Sequence, residues 1–107
     1  MNKDRRNALD KIRKELETLK TEADNKIEEI KGKLDDAKSE IETVRDEEQE
    51  YRDNMPENMA SGEKASQAEE AVTSMENAIE KLEQVVDSLS NFETDMDEAI
   101  SEFENIP

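Results

Sequence analysis

The chain has 107 residues, enough for one compact unit, and carries 31 acidic against 15 basic side chains for a net charge of −16. Six Leu, seven Ile, four Val and two Phe make 19 residues, 18% of the chain, and so little apolar surface beside so much charge predicts disorder unless those residues recur with a regular period. The absence of Cys and His excludes thiolate nucleophiles, Cys/His zinc sites, disulfide frameworks and imidazole acid–base chemistry.

The first element is read from Leu9, Ile12, Leu16, Leu19, Ala23, Ile27, Ile30, Leu34, Ala37, Ile41, Val44 and Tyr51. These positions step by three and four, with one additional step of four from Ala23 to Ile27, which is a heptad helix carrying a four-residue stutter. Acid-before-base pairs at Asp10/Lys14, Glu22/Lys26 and Glu29/Lys33, together with the lack of Pro, predict a helix over about 3–53. Gly32 costs that helix about 1 kcal/mol relative to Ala, but its register places it on the outward face.

Pro56 then lacks the donor a continuing helix needs and biases Met55 away from helical dihedrals, while Asn54, Asn58 and Ser61 are all suited to helix caps. A turn over about 54–62 follows. The second helix, about 63–105, has one core series at Val72, Ile79, Val86, Glu93 and Ile100. A second series runs through Ala68, Met75, Leu82, Leu89, Met96 and Phe103. A third is also apolar, at Ala71, Ala78, Val85, Phe92, Ala99 and Ile106, so the stripe is three rows wide. At 1.5 Å per residue the helices measure about 75 and 65 Å, a match that a short turn joins as an antiparallel hairpin. The expected fold is all-α: one domain, 1–107, of two long helices in an antiparallel coiled coil, either alone or joined in pairs as a four-helix bundle.

Flanking charges point the same way. The row beside the seam of the first helix is Arg13, Lys20, Lys31, Lys38, Arg45 and Arg52; the matching row of the second is Glu69, Glu76, Glu83, Ser90, Asp97 and Glu104. In an antiparallel pair these rows meet, each exposed pair adding about 0.2–1 kcal/mol and together selecting orientation. Pairing by residue numbers that add to about 113 sets Val44 near Ala68, Leu34 near Ile79 and Ile12 near Ile100. It also sets Glu93, the one acid in the core series, near Lys20 beside the stutter.

Residues 1–45 hold 12 basic and 12 acidic side chains, whereas residues 46–107 hold 3 and 19, so all the excess charge belongs to the turn and the second helix. Asp46, Glu47, Glu48, Glu50, Asp53 and Glu57 crowd around Tyr51 at the tip, and Glu93, Asp95, Asp97, Glu98, Glu102 and Glu104 form a second cluster. The expected function is a non-enzymatic interaction protein whose acidic surface, with Asp46, Glu47, Glu48, Glu50, Tyr51, Asp53, Glu57, Glu98 and Glu102 as candidate contacts, binds a basic protein surface in place of nucleic acid. Helix charge is sparser than DNA: 13 acids between Glu63 and Glu104 give one per about 5 Å, against one phosphate per about 1.7 Å. The alternative is a structural or assembly protein that oligomerises through Val85, Phe92, Ala99 and Ile106, since an exposed apolar line marks a contact with another chain. Tyr51 occupies a core-series position and is expected to pack; Met55 and Met59 are adaptable contacts or close the end of the coiled coil.

Carboxylate catalysis needs a pocket that raises one pKa, which two helices do not form, so an enzyme is not expected. Asp95-Met-Asp97-Glu98 lacks the glycine and spacing of a calcium loop, and no cofactor or metal is expected. No segment reaches the roughly 20 apolar residues of a membrane span and the charged start leads into no signal core, so the expected setting is cytoplasmic, without direct nucleic-acid or membrane binding.

The run Asp46-Glu-Glu-Gln-Glu-Tyr51-Arg-Asp-Asn-Met-Pro-Glu-Asn-Met59, followed by Ser61-Gly-Glu-Lys-Ala-Ser-Gln-Ala-Glu-Glu-Ala71, resembles a stretch of small acidic helical-hairpin proteins encoded by phages and prophages. The likeness covers residues 46–72 and is carried by the Asp-Asn-Met-Pro-Glu-Asn turn. It implies a phage or mobile-element setting, the host cytoplasm, and a class of small acidic proteins that includes nucleic-acid-mimicking inhibitors of host defence. The WxG hairpins of type VII secretion have similar length and topology, but this chain has no Trp.

Overall fold

The computed structural model describes all 107 residues. It is all-α, a helical hairpin of α1 (Lys3–Asp53) and α2 (Glu63–Ser101) with a closing 3-10 turn at Glu102–Asn105 and no strand. No helix is long and apolar enough to cross a membrane. Both starts and the turn fall where the spacing predicts; only the last turn of α2 differs. Pro107 biases Ile106 to extended dihedrals (φ −80°, ψ 124°), and the helix ends in tighter 3-10 geometry before it.

Local chemistry sets the ends. Asn2 starts α1: its Oδ1 accepts the Arg5 N–H at 2.8 Å, satisfying one of the donors a helix start leaves unpaired. Within the turn the N–H groups of Met59, Ala60 and Gly62 donate three residues back to the carbonyls of Pro56, Glu57 and Met59. The Gly62 carbonyl takes the Ser66 N–H at 3.2 Å, so Gly62 itself is the cap of α2. Asn54, Asn58 and Ser61, suited to capping by type, do not cap it because none of them reaches that position. No residue has positive φ.

Contacts divide the molecule into two units. In Gly32–Val86, which holds the turn, the buried residues are Ala65, Ala68, Val72 and Ile79 of α2, ringed by half-buried Leu34, Ala37, Ile41, Met75, Leu82 and Val86. In the unit formed by Met1–Lys31 with Asp87–Pro107, Ile27 is buried, and Leu9, Leu16, Ile30, Leu89, Met96, Ile100 and Phe103 are half-buried along the seam.

One expectation about α1 is corrected in both units. Ile12 and Leu19 in one, Val44 and Tyr51 in the other, belong to the core series by spacing yet are 43–54% exposed. Arg13, Lys20, Arg45 and Arg52, which follow them, are half-buried instead, whereas Ile30 and Ala37 stay half-buried beside Lys31 and Lys38. A seam between two helices accommodates only two rows per helix. The long aliphatic stems of these Lys and Arg residues cover apolar surface and take the seam places that Ile12, Leu19, Val44 and Tyr51 give up; the heads of Lys20 and Arg52 reach acids on α2, those of Arg13 and Arg45 acids on α1 itself. The total accessible surface, 7937 Å², exceeds the roughly 6,100 Å² of a compact monomer of this mass.

Candidate interaction surfaces

In the Gly32–Val86 unit, Lys38 and Arg52 of the basic row meet acids of α2 as the rows predict, while Arg45 pairs with Asp46 on its own helix. Lys38 Nζ lies 3.6 Å from Glu83 Oε1, and Arg52 Nε donates to Glu69 Oε1 at 2.8 Å. Arg52 also donates from Nη2 to the Ala60 carbonyl at 3.2 Å. One guanidinium therefore ties the last turn of α1 to the connecting turn and to α2, a role its spacing alone does not reveal. In an antiparallel pair, rows on the same angular side of the two seams meet. With the ion pairs on one side, Val44 and Tyr51 of α1 share the other side with Ala78 and Val85 of α2, all exposed. Ala37, Glu40, Ile41, Val44 and Met75 line a shallow hollow of about 350 Å³ there.

In the unit of Met1–Lys31 with Asp87–Pro107, the seam carries a charged layer. The Lys20 ammonium is shared by Asp24, one turn along its own helix, and Asp97 at 3.1 Å. Glu93 pairs with Lys31, its Oε1 2.6 Å from Nζ, and not with Lys20 as expected. The register differs from the expected one: the cross-helix pairs have residue numbers that add to 117–124 and not to about 113, which brings Asp97 to Lys20 and leaves Glu93 to the next basic residue of the row. The hydrogen bond to Asp24, then that to Asp97, holds the Lys20 pKa above its ordinary value; the hydrogen bond to Glu93 does the same for Lys31. Asp24 Oδ1 is buried without a hydrogen-bond partner. On the side away from these pairs, Ile12, Leu19, Phe92 and Ala99 are exposed, whereas Ile106, extended beyond the last helical turn, lines a hollow with Arg6, Leu9 and Arg13 and leaves the row that spacing assigned it.

The acidic candidates are surface residues. Asp46, Glu47, Glu50, Asp53, Glu57, Glu98 and Glu102 are exposed and Glu48 is half-buried. Asp46 pairs with Arg45 at 3.0 Å, Asp53 accepts a hydrogen bond from Gln49 at 2.9 Å, and Glu102 accepts one from Asn105 at 3.4 Å. Tyr51, expected to pack, is 49% exposed among the tip acids; Met55 is half-buried and Met59 exposed. Nowhere do three or more carboxylates converge as a metal-ion site. Ala65, missed in the sequence reading, was legible as the position one heptad before Val72.

No family model, curated protein or solved structure matches this chain.

Proposed function

We propose that this chain is a non-enzymatic assembly module, a helical hairpin whose apolar side is completed by further helices. The observation that carries this reading is the placement of exposed apolar rows from both helices on the side opposite the ion pairs: Val44 and Tyr51 with Val85 in one unit, Ile12 and Leu19 with Phe92 in the other. Scattered surface hydrophobes are ordinary; rows at heptad spacing on adjoining helices are what a bundle interior presents before its other half arrives. A Val85→Asp, Phe92→Asp variant should keep its helical circular dichroism and lose its associations in light-scattering chromatography. Unchanged association in the folded variant would remove the reading.

A second reading draws on the acids. Glu47, Glu48, Glu50, Glu57 and Glu98 form no ion pair, so their charge is available to a basic protein surface, in the manner of a nucleic-acid-mimicking inhibitor of a host defence or DNA- or RNA-binding factor. The turn's resemblance to phage-encoded hairpins supports that setting. Binding of this kind weakens sharply from low to moderate salt and should be lost on neutralising Glu47, Glu48, Glu50 and Asp53. Equal partner recovery by the neutralised form would exclude it.

A further inference from the structure

We infer that the helix completing the apolar side is α2 of a second copy of this chain, packed antiparallel about Val85; this rests on the assembly reading above. The first argument is charge. Two chains of −16 repel, and a second copy fits only where the contact strip is itself uncharged. Eleven of the 39 residues of α2 are acidic, but the row at Ala71, Ala78, Val85 and Phe92 and the row outside it, Gln67, Ser74, Lys81 and Ser88, contain no acid. The first acids in that outer row are Asp95 and Glu102.

The second argument is self-complementarity. Set antiparallel with Val85 on its own symmetry mate, the strip brings Phe92 against Ala78 of the copy and Ala99 against Ala71. The outer row brings Asp95 to Ser74, Glu102 to Gln67 and Lys81 to Ser88. The largest residue of the strip, Phe92, meets an alanine, and no like charges face each other. A parallel arrangement stacks Phe92 on Phe92, Lys81 on Lys81 and Asp95 on Asp95, so it combines overpacking with repulsion. An isologous two-fold contact is the ordinary way two copies of one chain bury the same patch. The exposure of Val85 and Phe92, 44% and 46%, leaves both side chains available for it.

Because the chain has no Cys, single cysteines report the register directly. Val85→Cys should cross-link to itself with a short bis-maleimide. Phe92→Cys should not, since two such residues lie about 21 Å apart in the antiparallel pair, but it should cross-link when mixed with Ala78→Cys. Sedimentation equilibrium should show a dimer that tightens with added salt as the repulsion between chains is screened, and Phe92→Asp should weaken it at least tenfold. A monomer up to about 100 μM would overturn the proposal, as would self-cross-linking of Phe92→Cys. If the chain is monomeric while a different helical protein binds it in a Phe92-dependent way, only the second copy is wrong. If neither association depends on Phe92, the assembly reading falls as well.

Discussion

Arg52 offers a sharp test of how the turn is held. Its side chain is 24% exposed, donates to Glu69 and to the Ala60 carbonyl, and sits in the last turn of α1. The pair with Glu69, whose carboxylate is 59% exposed, contributes about 0.2–1 kcal/mol. A cationic donor on a part-buried carbonyl adds about 1.5 kcal/mol, and a cation at a helix C-terminus about 0.3–1 kcal/mol. These overlap, so Arg52→Met, which keeps the stem but loses the head, should cost about 2 kcal/mol. With an m-value of about 1.5 kcal/mol per molar urea, the midpoint followed by circular dichroism should fall by about 1.3 M. Arg52→Lys should recover only part, because an ammonium lacks the planar fork that serves two acceptors at once. Glu69→Gln should cost less than about 1 kcal/mol. A loss under about 0.5 kcal/mol for Arg52→Met, or an equal loss for Glu69→Gln, would refute the clamp.

Other outcomes follow from the same packing. Ile79→Ala removes a buried side chain and should cost about 2–4 kcal/mol in urea unfolding; Val44→Ala, at an exposed position, should cost under about 0.5 kcal/mol when measured in dilute solution. A Cβ added at Gly32 meets nothing within 4 Å, so Gly32→Ala should stabilise by about 0.5–1 kcal/mol in the same assay. Lys20 and Lys31 have raised pKa values in the folded state, so the stability they add is complete below their ordinary value of 10.5 and is lost as pH rises through the folded values. Thermal midpoints should therefore fall above pH 10.5, and Lys31→Met should flatten that fall. An unchanged alkaline limb in the variant would count against the Lys31–Glu93 pair.

Reading the interaction surface required a contest that spacing does not resolve. Heptad steps identify Leu9 and Leu16 as seam residues and also nominate Ile12 and Leu19, which the fold leaves exposed. Arg13 and Lys20, each one residue later, compete for the same place. The claim of Lys20 depends on Asp97 of α2, far away in sequence, whereas Arg13 is held by Asp10 and Glu17 on its own helix. Glu93 shows the same limit: its presence in a core series announces a basic partner, but whether Lys20 or Lys31 answers depends on the register of the two helices, which brings Asp97 to Lys20. The third row of α2, by contrast, was legible at once, because no arrangement of two helices covers Val85 and Phe92 along with the other two series.

Two helices and their break were therefore determined by the sequence itself, through local physics: three-and-four spacing, Asn2 at the first cap, Pro56 and Gly62 at the turn. Only the tertiary structure decided which rows meet. The rotation of α1 about its axis is set by burial of the long stems of Arg13, Lys20, Arg45 and Arg52 in the seam, joined at Lys20 and Arg52 by ion pairs to acids on the other helix. That rotation turns Ile12, Leu19, Val44 and Tyr51 outward, beside the uncovered row of α2.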